Sequence, residues 1–147
     1  MDKETIQGKR RARKLALQAL YQWHMSGSSL LEIDDQFCTF NNMERVDTDY
    51  FCGLLYGVAK ECTEIDTAFA PFLDRPVHEL NPIEWTILRL STYELMHCLE
   101  IPYRVVLDEA VTLAKAFGSQ DGHRYVNGVL HNLAKQIRAV EFNLPHE

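Results

Sequence analysis

At 147 residues the chain has the length of one domain, or of two small halves sharing a core. It is long enough to bury a core without help from a disulfide or a metal. The composition, 46% hydrophobic and 24% charged, is that of a soluble protein. No apolar run approaches the ~20 residues of a bilayer span, and the first ten residues lack the apolar stretch of a signal peptide. A cytoplasmic protein with no membrane partner is expected. The net charge of −6 hides a strong asymmetry. Residues 1–14 hold six basic and two acidic side chains, residues 30–100 four basic and fourteen acidic, and residues 101–147 five of each. A basic arm on an acidic body is what a nucleic-acid contact confined to one patch would look like.

Hydrophobic spacing predicts helices throughout, with no sustained alternation of period two. Ala12, Leu15, Ala16, Ala19, Leu20 and Trp23 share one helical face, and Gly27 marks its end. Leu30, Ile33, Phe37 and Phe40 form the apolar side of a shorter helix that stops at Asn41-Asn42. Asp47 or Thr48 can cap a third, carrying Phe51, Leu54, Leu55, Val58, Ala59 and Cys62. Ile65 to Leu73 continue its pattern, with a break expected near Pro71. Residues 74–81 read as a link between halves. Asn81-Pro82 is a strong start signal for a helix that is apolar nearly all round, through Ile83, Trp85, Ile87, Leu88, Leu90, Leu95 and Leu99. Pro102 opens the next helix, which carries Val106, Ala110, Leu113, Ala114 and Phe117 and stops at Gly118. Val126, Val129, Leu130, Leu133, Ala134 and Ile137 define the last.

Chemistry-bearing motifs are few. Cys38, Cys52, Cys62 and Cys98 form no C-x-x-C pair and are expected as small core hydrophobes. Glu94 and His97 make one E-x-x-H spacing, but di-iron bundles need two copies and further carboxylates, so no metal is expected. Neither a nucleophile elbow nor a phosphate-cradling glycine loop is present. The adjacent acids Asp34-Asp35 and Asp108-Glu109 point about 100° apart on a helix and do not converge. The sequence makes no case for an enzyme, and no cofactor is expected.

Two stretches suit nucleic acid. Lys9, Arg10, Arg11, Arg13 and Lys14 lie where the first helix begins, if its apolar face starts at Ala12. Cations there oppose the helix dipole, which hints at a use for them. Asp121-Gly122-His123-Arg124-Tyr125 precedes the last apolar stripe. Asp121 is placed to cap the helix through the amides of His123 or Arg124. Arg124 and Tyr125 lie off the stripe, where they can offer a cation and a stacking ring to single-stranded nucleic acid; a Tyr packed on a neighbour is the other reading.

Together these residues resemble the NusB family of transcription antitermination proteins. The stretches that carry the resemblance are Arg10-Arg11-Ala12-Arg13 with Ala19-Leu20-Tyr21-Gln22-Trp23, Leu88-Arg89-Leu90 with Tyr93-Glu94-Leu95, and Ile101-Pro102-Tyr103-Arg104-Val105-Val106. Asp108-Glu109-Ala110, Leu113 to Gly118 and Tyr125-Val126-Asn127-Gly128-Val129-Leu130 complete it, so it spans about residues 8–138. The resemblance implies an all-α fold of two packed three-helix halves, about residues 5–74 and 79–140, within one RNA-binding domain. It implies binding of boxA RNA as a heterodimer with NusE, a small-subunit ribosomal protein. The setting would be the RNA polymerase antitermination complex that supports ribosomal RNA synthesis. The RNA contacts it implies fall on Arg10, Arg11, Arg13, Phe72, Asp121, Arg124 and Tyr125, with Phe72 standing where the family often has Tyr. The NusE-facing positions it implies are Tyr21, Glu84 and Arg89. A protein-binding helical adaptor, a homodimer, and the RNA-binding domain of a methyltransferase-like protein without its catalytic part remain as alternatives.

Overall fold

A computed structural model describes residues 2–145, and among them there are helices and no strand. The helices are α1 (Lys3–Ser26), α2 (Leu30–Phe40), α3 (Thr48–Lys60), α4 (Cys62–Phe69), α5 (Pro82–His97), α6 (Tyr103–Phe117), α7 (Gly122–Ile137) and α8 (Ala139–Phe142). Single 3-10 turns cover Ala70–Phe72 and Val77–Glu79. The chain divides into two compact units, 1–61 and 62–147, so α4, which precedes the expected link, groups with the second.

In the first unit α1 packs on α3 and, over a shorter stretch, on α2. Ala12, Ala16 and Ala19 are fully buried, and such small side chains let a neighbouring backbone approach closely. Leu17, Leu20, Phe51, Leu54, Leu55 and Val58 fill the space between. Burial of a side chain the size of Phe51 stabilises by ~1.5–3 kcal/mol. α1 begins earlier than its apolar stripe. Asp2 caps it by accepting from the Thr5 amide, and Glu4 follows in the first turn. The cations from Lys9 to Lys14 therefore lie beyond the first turn, past the reach of the dipole penalty expected for them. Gly27 closes α1 with φ 70°, a left-handed position suited to glycine. Asp47 caps α3 through the Tyr50 amide, as its spacing predicts.

α2 departs from expectation at its end: Ile33 is buried, but Phe40 is 79% exposed. A short helix with one main neighbour buries little of its stripe. The cysteines depart too. Cys38 is exposed and the other three are half-buried. Cys52 is one position, about 100°, away from buried Phe51, while Cys62 opens α4 and Cys98 follows α5.

The second unit is built around α5, which packs on α4, α6 and α7 while α6 and α7 pack on each other. The central place expected for α5 is seen in the run from Thr86 to Thr92, every residue of which is buried. Asn81 caps α5 by accepting from the amides of Ile83 and Glu84. Leu99 leaves the apolar face expected for it because the helix ends at His97; it sits in the following turn, 68% exposed. α3 and α4 are separated at Glu61, ahead of the break at Pro71 that the sequence predicts. Both ends of the α5–α6 corner are completed by residues near α8. Arg138 donates to the carbonyls of Leu95 (2.8 Å), Ile101 (3.0 Å), Cys98 (3.1 Å) and Glu94 (3.3 Å). Glu141 accepts from the Tyr103 amide at 2.8 Å, doing for α6 what the apolar ring of Pro102 cannot.

Candidate nucleic-acid interface

The basic arm is a stitched helical surface. Asp47, just before α3, donates its amide to the Gly8 carbonyl (3.1 Å) and its carboxylate pairs with Lys9 (3.1 Å). Arg11 donates to the Arg45 carbonyl at 3.4 Å. These contacts fix which way the arm faces. Arg10, Arg11 and Lys14 are exposed and can meet phosphate. Arg13 is only 3% exposed, with its guanidinium 5.5 Å from the Tyr50 ring centre; Lys9 stands 4.8 Å from the same ring. Of the three arginines expected at RNA, two are at the surface and the third is packed.

The second cluster belongs to the second unit, where the 3-10 turn Ala70–Phe72 packs against α7. Arg124 and Asp121 are exposed, and Phe72 and Tyr125 are half-buried. Asp121 does not cap α7 as expected: its side chain makes no capping bond, and only its carbonyl accepts from the Arg124 amide. Its backbone, at φ −110° and ψ 11°, departs from the extended conformation usual at an N-cap, so its carboxylate is left at the surface. Tyr125 is not a bare ring. Its hydroxyl donates to Asp74 Oδ1 at 2.9 Å, and the Arg75 guanidinium lies 4.9 Å from its ring centre. Burial, followed by the hydrogen bond to Asp74, raises the phenol's pKa. Asp74 and Arg75 are missed by a reading of the sequence because their partner lies some fifty residues on.

The loop that presents this cluster is held from within. Glu84, 7% exposed, accepts from the Ser119 amide (3.0 Å) and hydroxyl (2.8 Å). Gly122 passes so close that a Cβ would lie 2.6 Å from the Glu84 carboxylate. Gly118 is extended, not left-handed, and its need for glycine is space: a Cβ would lie 2.7 Å from the Ala114 carbonyl. Arg89, 8% exposed, pairs with both oxygens of Asp66 (2.9 and 2.7 Å) and stacks 4.5 Å from the Trp85 ring centre. Trp85 donates to the same Asp66 at 3.0 Å. Glu84 and Arg89, expected at a partner surface, thus carry internal bonds. Tyr21 is accessible: it is half-buried and lines a surface groove with Gln18, Gln22, Met25, Ser26 and Phe37.

Among the described residues no group of three or more acids, histidines and cysteines is arranged to hold a metal. No helix of the described residues is long and apolar enough to cross a membrane. The sequence matches the NusB family over residues 10–135. A transcription antitermination protein NusB of Legionella pneumophila (strain Corby) is 60% identical over 147 residues, the whole of both chains. One from Pseudomonas savastanoi pv. phaseolicola is 54% identical over 133 residues, covering 90% of this chain and 81% of its own. A crystal structure of T. maritima NusB superposes with a TM-score of 0.79 at 28% identity, covering 92% of this chain and 97% of that one. A structure of antitermination factors NusB and NusE with double-stranded RNA shares the fold at a TM-score of 0.77 and 24% identity, covering 88% and 97%. With helices the only regular structure among the described residues, and with identity this high across its whole length, the chain belongs to the NusB family of transcription antitermination proteins and is an antitermination factor, not an enzyme.

Proposed function

We propose that this chain binds boxA RNA as a heterodimer with NusE, within a cytoplasmic RNA polymerase antitermination complex that supports ribosomal RNA synthesis. The observation that carries the RNA reading is the surface at the start of α7. There an arginine-backed Tyr125 ring sits beside exposed Arg124 in the first turn of the helix, just after a loop fixed by Glu84. Stacking rings and cations on a rigid support are what single-stranded nucleic acid needs. The exposed arm cations Arg10 and Arg11 add phosphate attraction. That a family relative has been solved with NusE and RNA agrees with this reading.

The partner side rests on Tyr21 and its groove, with Met25 57% exposed beside it. Glu84 and Arg89, in the second unit, would serve a partner only through the shape they hold within that unit, since their charged groups are bonded inside it. The same groove could instead join two copies of the free protein, which sedimentation would show as a concentration-dependent dimer broken by Tyr21→Asp. The main test is calorimetric titration of boxA RNA into the chain with and without NusE. Tighter RNA binding with NusE is expected, and linkage requires RNA to tighten the protein–protein contact by the same factor. Equal RNA affinity in both titrations would overturn the heterodimer reading.

A further inference from the structure

Asp74, Arg75 and Tyr125 close a triangle at the surface of the second unit. Arg75 Nε lies 2.7 Å from Asp74 Oδ1 and its terminal nitrogen 3.1 Å from Oδ2, a two-pronged pair between chain neighbours. Tyr125 donates its hydroxyl to Asp74 Oδ1 and accepts from the Asp74 amide at 3.3 Å. The guanidinium lies over the Tyr125 ring. Yet the side chains of Arg75 and Asp74 are 47% and 63% exposed. A pair so open to water adds little stability, so holding the fold together does not account for its geometry. What the geometry does is place a planar guanidinium on an aromatic face, with its charge already met by a carboxylate.

A phosphate offers the same two-oxygen fork as a carboxylate. We propose that Arg75 is a phosphate-binding residue of the RNA surface, kept on the Tyr125 ring by Asp74 until an RNA phosphate replaces that carboxylate. Asp74 and a phosphate, both negative, cannot share the guanidinium without repulsion, so the exchange has a threshold. A stray anion meets Asp74 already in place. An RNA strand anchored at Arg124 and on the aromatic surface presents its phosphate at high local concentration and displaces Asp74. The Tyr125 hydroxyl retains Asp74 after the exchange, and the ring retains Arg75. The inference rests on the RNA-binding reading above and adds to it a residue and a selectivity device.

The test is binding of the full chain to a short single-stranded boxA RNA, measured at several salt concentrations. Arg75→Gln should weaken binding about fivefold, the scale of one exposed charge pair. It should also flatten the plot of log K against log salt by ~0.7, the value of one phosphate contact on a single strand. Asp74→Asn, which keeps the shape and removes the charge, should strengthen binding by a similar factor. The deciding arm is the double variant. If Asp74 acts through Arg75, then Asp74→Asn gives no gain when Arg75 is already Gln. An equal gain in both backgrounds would show Asp74 to be a general repelling charge and overturn the proposal. So would an Arg75→Gln chain that is as helical as the parent by circular dichroism and binds RNA with the parent's slope. A parent chain that binds no RNA, alone or with NusE, would remove the functional reading itself. That result is distinct from binding that is insensitive to Arg75.

Discussion

Glu84 and Ser119 are joined across thirty-five residues by a single oxygen, Glu84 Oε2, which accepts both the backbone amide and the hydroxyl of Ser119. The α6–α7 loop is thus wrapped on a buried carboxylate that stands in the first turn of α5. The loop's two glycines bring backbone up to that same group.

Glu84→Ala should therefore cost about 1.5–3 kcal/mol of stability, because the Ser119 amide and hydroxyl lose a charged acceptor. Glu84→Lys should cost ~3–5 kcal/mol, as an unpaired buried charge does. Chemical denaturation measures both. Hydrogen exchange at the Ser119 amide should accelerate in each. A Glu84→Lys chain with parental stability would show that the carboxylate is not holding the loop.

The arm arginines should separate into two kinds. Arg10→Ala with Arg11→Ala should flatten the salt dependence of RNA binding by ~1.4 units, two single-strand phosphate contacts, with unchanged melting. Arg13→Ala should instead lower stability by ~1–2 kcal/mol, through lost packing and lost attraction to the Tyr50 ring. Its effect on the salt slope should be small. A parental melting temperature in Arg13→Ala would move that side chain back to the surface.

Most helix ends that depend on neighbours in the chain were legible in the sequence: Gly27, Asp47 and the Asn81-Pro82 start all behave as local chemistry dictates. The failures share a cause. Asp121 has the right spacing for a cap and does not make one. The break at Glu61 carries neither Gly nor Pro. Phe40 and Leu99 obey a period that the packing does not use. At the site, the arm and Tyr125 could be found from residue type and position. Arg75, Asp74 and the internal work of Glu84 could not, because each acts on a partner thirty-five or more residues away.

Asp74 supplies a prediction in pH. The hydrogen bonds from Arg75 and then Tyr125 lower its pKa to about 2 from the usual 3.8. A carboxyl depressed in the folded state contributes stability above its unfolded value and loses it as pH falls through the folded one. The triangle should therefore be fully formed at pH 5 and come apart between about pH 4 and 2. Carboxyl carbon shifts followed by NMR should titrate near 2 for Asp74, and move up towards 3.8 in Arg75→Gln. A midpoint near 3.8 in the parent would show the pair to be open in solution.

Arg138 should be the most costly surface-distant charge to remove. Its side chain is 4% exposed and serves four carbonyls as well as Glu141. Arg138→Met keeps much of the volume but removes the guanidinium from all four: the Glu94 and Cys98 carbonyls keep the amides of Cys98 and Ile101, while the Leu95 and Ile101 carbonyls lose the bonds Arg138 gives them. A loss of ~3–5 kcal/mol is expected, equivalent to about 6–20 °C in melting temperature for a domain of this size. A change under 1 kcal/mol would show that water serves the carbonyls as well.

The reach of Arg138 and Glu141 also bears on synthesis. The last turn of α5 and the first turn of α6 each wait for a side chain made some forty residues later. On the ribosome, where domains complete as their chain emerges, the α5–α6 corner would be exposed with open carbonyls and an uncapped amide until residues 138–141 are clear of the tunnel. The second unit would then close in one late step rather than helix by helix, and a stall before that point would leave its central helix unfinished.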